Sequence, residues 1–233
     1  MWRCERGTIL TNLSATMRKY PLDRAILREL SCIADGFDVV LPEELPLVSS
    51  SGYHAAAHCF LWSPSDRVVE LSRTKYSIKA VVLMHLRFDG LLGFFGGIVE
   101  EGEPPSVAVT REMREEGNLD TNKFTVNEAD HLVSLVSHDS KLLTHFYALE
   151  VSSDEMDHIE KNASASEHYG TETFGLVRVP LFTMSDGVKG FPTFLSQHFS
   201  GSAKSQLTYA LARLGILGVE YIKRSLEISK QYK

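Results

Sequence analysis

The chain has 233 residues, enough for one well-buried domain with extensions. Its 43% hydrophobic and 23% charged content is ordinary for a soluble globular protein, and no apolar run approaches the roughly 20 residues that span a bilayer, so no membrane partner is expected. A formal net charge of −6 offers no global attraction to nucleic acid, so no DNA partner is expected, and any grip on RNA has to come from a local patch or from bound cations.

Residues 1–50 read as an N-terminal extension. Its start is basic but lacks the long apolar stretch of a secretory signal. Within it, the run from Pro21 to Leu30 predicts a helix that stops near Gly36. Cys4, Cys32 and Cys59 are too widely spaced for a metal or redox motif and fit a reducing compartment. Ser49 to Gly52 reads as a linker into a core domain spanning residues 51–217. Strands are expected at Ala55–Trp62 and Arg67–Leu71, around a turn at Ser63–Asp66. A β-rich run follows at Ala80–Arg87, then a turn at Phe88–Gly90 and a short strand near Leu91–Phe94. The prolines Pro104 and Pro105 mark the first turn of a helix running from Glu103 to Gly117. Leu132–Ser137 and Lys141–Val151 pair as a hairpin, Ser153–Lys161 is helical, and Phe174–Leu181 is a strand. Helices are expected at Pro192–Phe199 and Ala203–Leu214, capped by Ser202 and stopped by Gly215. Residues 218–233 form a helical tail. The alternation predicts an α/β fold, a mixed sheet sandwiched between helices.

The chemistry concentrates in Gly97–Leu119, where a glycine is followed after five residues by Glu103 and, seven further on, by Arg111-Glu112-Met113-Arg114-Glu115-Glu116-Gly117-Asn118-Leu119. Glu112, Glu115 and Glu116 stand at i, i+3 and i+4, one turn apart on one helix face. Three carboxylates so close repel one another until a divalent cation, which favours hard oxygen ligands, relieves them. Such a cation neutralises a diphosphate and activates water for attack on phosphorus. Gly96 and Gly97 let the backbone turn tightly beside the phosphates. Val109 and Met113 dock the helix on the sheet. Taken alone, REMREE would be an ordinary solvated charge run; its placement after Gly97 and Glu103 points to a metal site.

This pattern matches the Nudix signature except at Asn118, where the signature has glycine. The position needs left-handed backbone, for which asparagine is the usual second choice; Gly117 could take it with a shifted cap. The blocks at Val81–Gly97, Thr144–Ala148, Gly175–Leu195 and Gly201–Leu207 further resemble the small nucleolar RNA-decapping branch of the Nudix hydrolases, which also cleaves inosine diphosphate. The resemblance implies a Nudix fold with its strand-loop-helix motif, Mg²⁺ or Mn²⁺ as cofactor, homodimerisation, and a nuclear or nucleolar location, with the cytoplasm as a further site. It implies that Glu103 and Arg111 pair to brace the loop. It also implies that His58 and Gln206 contact the base, Arg87 lies near the phosphates, Phe94 stacks on the purine, and Glu172 is a further ligand or base. Without the resemblance, His58 and Phe94 would read as core residues and Arg87, Glu172 and Gln206 as surface ones. The branch usually has proline where this chain has Phe95.

The leading expectation is a metal-dependent hydrolase of a diphosphate linkage in a purine nucleotide or an RNA 5′ cap. Glu112, Glu115 and Glu116 would hold the metal, with Glu116 and Glu172 both open as general base. One alternative is a non-catalytic RNA-binding or scaffold protein, since the branch includes a relative whose box has lost its glutamates. Another is a broader pyrophosphatase acting on ADP-ribose or dinucleotides.

Overall fold

The computed structural model describes Leu30 and residues 37–41, 43–49, 51–71 and 73–232; most of the helix expected over 21–36 lies outside them, though Leu30 is helical and buried in the core. Among the described residues eight strands form one mixed sheet: β1 (Asp38–Val40), β2 (His54–Leu71), β3 (Thr74–Arg87), β4 (Leu92–Gly93), β5 (Phe95–Ile98), β6 (His131–Ser137), β7 (Leu142–Glu150) and β8 (Thr173–Arg178). The order β1-β6-β7-β2-β3-β4 is extended by β5 on β2 and β8 on β3. β2 runs parallel to β7 and antiparallel to β3 and β5.

Helices cover both faces. On one face α2 (Pro105–Gly117) and α3 (Ser153–Asn162) pack through Ala108, Val109, Met113, Met156 and Ile159 onto Ala57, Cys59, Leu61 and Leu83. On the other face α4 (Phe191–Leu195), α5 (Ala203–Arg213) and α6 (Val219–Ser229) enclose Phe60, Trp62, Val82, Met84, Phe94 and Phe146. The short α1 (Leu45–Ser49) packs near β1. This is the expected α/β/α sandwich.

Four local differences have physical reasons. Ser63–Asp66 is not a turn: β2 continues through a bulge between Pro64 and Arg67, where proline's missing N–H is tolerated and the ladder to β3 resumes at Ile78. β1 pairs with β6, so the segment read as an extension supplies an edge strand to the sheet. Ile222 and Leu226 of α6 are buried in the main core, so the C-terminal tail is part of the packing. The helix expected at Pro192–Phe199 stops at Leu195.

Around the motif, α2 begins at Pro105 with Pro104 as the capping residue. It ends at Asn118, which takes the left-handed conformation at φ 55° and returns its N–H to the Arg114 carbonyl. The Asn118 side chain also donates to the Asn162 carbonyl, 3.3 Å away, tying α2 to α3.

Candidate active site

The site is built where β5 meets α2. Gly96 has φ +141°, and a Cβ there would fall 2.0 Å from the Ala57 carbonyl oxygen, so only glycine lets β5 lie this close to β2. Gly97 answers a different need: a Cβ on it would stand 2.6 Å from Glu112 Oε1. The glycine pair thus packs the turn against the sheet and leaves room for a carboxylate.

Glu112 and Glu116 are both buried, on the inner side of α2. Glu116 Oε2 accepts a hydrogen bond from the Gly96 N–H at 2.9 Å. Burial pushes the Glu116 carboxyl up to about 8, with Glu112 and Glu172 adding repulsion and the Gly96 N–H and Arg87 opposing it. Burial likewise raises Glu112, with Arg111 pulling it back and Glu115 and Glu172 pushing it further up. The buried Glu112 thus feels Glu115 and Glu172, and the buried Glu116 feels Glu112 and Glu172.

Arg111 holds the acidic face together. Its guanidinium reaches Glu103 at 3.1 Å, Glu112 at 2.9 Å and Glu115 at 3.1 Å, and it donates to the Ile98 carbonyl at 3.3 Å. The Glu103 carboxylate lies below the usual carboxylate range because Arg111 hydrogen-bonds to it. Loop, strand end and helix are thereby joined through one cation. Arg114 adds a 2.7 Å contact to Glu115.

The donor set fits a divalent cation. Its groups are hard oxygens, they repel one another where they are buried, and Gly97 keeps the space beside Glu112 open. Among the described residues no three acidic, histidine or cysteine side chains already stand as metal ligands. With Glu112 and Glu115 both turned to Arg111, an incoming cation has to draw them away from that guanidinium. Glu112, Glu115 and Glu116 are the residues that would hold it.

The remaining expected residues divide between the two faces of the sheet. His58, opposite Gly96 in the β2–β5 ladder, lies 3.4 Å through Nδ1 from Gln206 Nε2, so those two do come together, on the face opposite α2. Burial, then Arg87 and His145, pull His58 down to about 4, so it is neutral. Gln206 is buried, not a helix-surface residue. Arg87, at the end of β3, is aligned by Asp89 at 2.9 Å, and its guanidinium lies 5.5 Å from the Phe88 ring centre.

Phe94 is a correction. It is 2% exposed and packed between Phe60 and Phe146, with ring centres 5.9 and 5.0 Å away, so its faces belong to the core and not to an open base pocket. The exposed aromatic next to Arg87 is Phe88. Glu172 is half exposed, in a loop whose carbonyl accepts from the Phe88 N–H and whose His168 stands 3.5 Å away from its carboxylate. The His168 N–H in turn donates to the Glu115 carbonyl, docking the loop on α2.

His85 is a further residue of the site, one that sequence reasoning does not single out. His85 stands two residues before Arg87 and therefore on the same strand face, which was the available signal; it is buried, with Nδ1 3.8 Å from Glu116. Phe95 is fully buried beneath α2, where Gly117 leaves room for its ring.

The chain is similar to several known proteins. The sequence profile described as Nudt16-like, U8 snoRNA-decapping enzyme-like, matches residues 55–217. The chain is 42% identical over 166 residues to a U8 snoRNA-decapping enzyme of Homalodisca vitripennis, covering 70% of this chain and 87% of that one. It is 39% identical over 180 residues to the U8 snoRNA-decapping enzyme of Xenopus laevis, covering 76% and 84%. It is also 38% identical over 146 residues to the Tudor-interacting repair regulator protein of Homo sapiens, covering 62% and 68%.

Proposed function

Because the chain belongs to the Nudt16-like, U8 snoRNA-decapping enzyme-like family of Nudix hydrolases, we propose that it is a divalent-metal-dependent enzyme that cleaves the diphosphate linkage of an RNA 5′ cap or of a purine nucleotide such as inosine diphosphate. The observation that carries this reading is the pair of buried carboxylates, Glu112 and Glu116, packed against the Gly96–Gly97 turn. Structural packing alone gives no reason to bury two mutually repelling acids. When bound, Mg²⁺ or Mn²⁺ neutralises phosphate oxygens and lowers the pKa of a water molecule.

The chain's own residues supply the rest. Arg87, prealigned by Asp89, binds a phosphate oxygen and stabilises charge that develops as the bond to the leaving group breaks. Glu116, buried and held by the Gly96 N–H, suits a ligand. Glu172, half exposed and beside His168, suits the acceptor of the attacking water's proton. His58 and Gln206 offer a neutral imidazole and an amide to a base edge from the far side of β5. A nuclear or nucleolar location, supported by the snoRNA-decapping relatives, belongs to the same proposal, and homodimerisation enters it only as what the resemblance implies.

The test is incubation of purified protein with capped RNA and with inosine diphosphate, in Mg²⁺ or Mn²⁺, with product analysis. Failure on both by a folded, metal-binding protein removes the substrate assignment; ADP-ribose and dinucleotides in the same panel separate out a broader pyrophosphatase. Glu172→Gln is expected to lower turnover by about 10²–10⁴-fold, the usual contribution of a general base.

A further inference from the structure

His85 is 1% exposed, and neither of its ring nitrogens has a hydrogen-bond partner. Leaving a buried polar group unsatisfied is costly, so in a native site it calls for a reason. The ring is confined on two sides. Gly93 passes so close that a Cβ there would lie 3.1 Å from His85 Nε2, and the Phe95 ring lies 5.7 Å away at an interplanar angle of 35°. Phe95 is itself fixed, filling the space that Gly117 leaves: a Cβ at position 117 would meet its Cε1 at 2.8 Å. Phe95 and His85 thus form a packed floor under α2, and the polar edge of that floor faces Glu116 Oε1 at 3.8 Å.

We propose that His85 is a positioning residue for Glu116: its Nδ1–H donates to Oε1 when a divalent cation is bound, while the Gly96 N–H holds Oε2. Both oxygens are then tethered, the carboxylate plane is set, and the remaining lone pairs point to the cation. The present separation exceeds a hydrogen bond by about 0.6 Å or more, a gap that a small rotation of the carboxylate closes. The Phe94 backbone carbonyl is a competing acceptor near the ring, but a carboxylate is the stronger one, because hydrogen bonds to a charged acceptor are roughly twice as strong. Phe95, where proline is usual in this branch, is the residue that keeps the imidazole in place. The inference rests on the metal-dependent reading above.

Metal-free wild type, His85→Gln and His85→Met are titrated with Mn²⁺ alone, and free ion is followed by electron paramagnetic resonance. The two variants have similar unbranched side chains, but only glutamine donates a hydrogen bond. His85→Met is expected to bind Mn²⁺ about 10–100-fold more weakly, and His85→Gln to stay much closer to wild type. Equal affinities for the two variants overturn the proposal, whether both match wild type or both are weakened. A second measurement avoids any folding problem: in ¹⁵N-histidine wild type with Mg²⁺, His85 is expected as the Nδ1–H tautomer, and the Nε2–H tautomer overturns it. If wild type takes up no Mn²⁺, the metal-dependent reading falls and takes this one with it. If it binds Mn²⁺ but cleaves neither capped RNA nor inosine diphosphate, only the substrate assignment fails and the variant comparison still decides the role of His85.

Discussion

Replacing Gly97 by alanine tests whether the position of Glu112 matters to the reaction. The φ of Gly97 lies outside the left-handed region, so the backbone accepts alanine, but the new methyl would stand 2.6 Å from Glu112 Oε1 and 2.9 Å from its Cδ. Ordinary contact begins at 3.4 Å, so the carboxylate has to retreat by roughly 1 Å. It cannot do so freely, because Arg111 holds the same oxygen at 2.9 Å. A misplacement of about 1 Å in a reacting assembly can cost about 100-fold in rate, or about 2.7 kcal/mol of barrier. Stability should change little, since Gly→Ala at a compatible position shifts it by only about 0.4–1 kcal/mol. The assay is kcat on whichever substrate wild type cleaves, at saturating Mn²⁺, with thermal melting alongside. A Gly97→Ala enzyme with wild-type kcat would refute the view that the glycine is there to seat Glu112.

Gly117→Ala strikes packing instead of a carboxylate: its Cβ would meet Leu119 Cδ1 at 2.6 Å and Phe95 Cε1 at 2.8 Å, so it should cost about 1–3 kcal/mol in denaturant unfolding by overpacking. Glu116→Gln should lower turnover by orders of magnitude while stabilising the metal-free protein at pH 8. Burial raises Glu116 to about 8 from its ordinary 4.5, so the folded state keeps a proton that the unfolded chain releases. The stability this gives is complete below pH 4.5 and is lost as pH rises toward 8. Melting temperatures in chelator at pH 5 and pH 8 check this, and the variant's advantage should be greater at pH 8. Asn118→Gly should leave activity unchanged and shift stability by less than about 1 kcal/mol, because relief of the left-handed conformation offsets loss of the hydrogen bond to Asn162; urea unfolding measures it.

The motif helix was legible because its signals are local. Pro104–Pro105 fix the start, the glutamate spacing fixes the polar face, and Asn118 takes the one backbone conformation that its place after the helix demands. Glu103 and Arg111 meet because Glu103 stands just before α2 and Arg111 roughly two turns into it. The errors arose where a partner distant in sequence decides. Ser-Pro-Ser-Asp has turn composition, yet Ala80 and Val81 on β3 hold Pro64 and Ser63 in the ladder. Phe94 and Phe95 are neighbours that alternate to opposite faces, and both are buried because helices cover both sides of the sheet; no periodicity says which aromatic meets solvent. His85 shares a strand face with Arg87, but its lack of a partner is visible only once α2 is laid across it.

The alternation along β2 has a consequence for how such a protein can change. Ala57 and Cys59 pack under the helix that carries the glutamates, while His58 and Phe60 belong to the side of α5. On the proposed reading, in which His58 and Gln206 meet the base, a substitution on α5 beside Gln206 would alter recognition without touching the packing that holds Glu112 and Glu116. The sheet is a partition between two trades, one fixed by chemistry and the other free to be retuned, and the glycine pair of β5 is the doorway between them. New substrates can be acquired on one side while the reaction on the other is inherited unchanged.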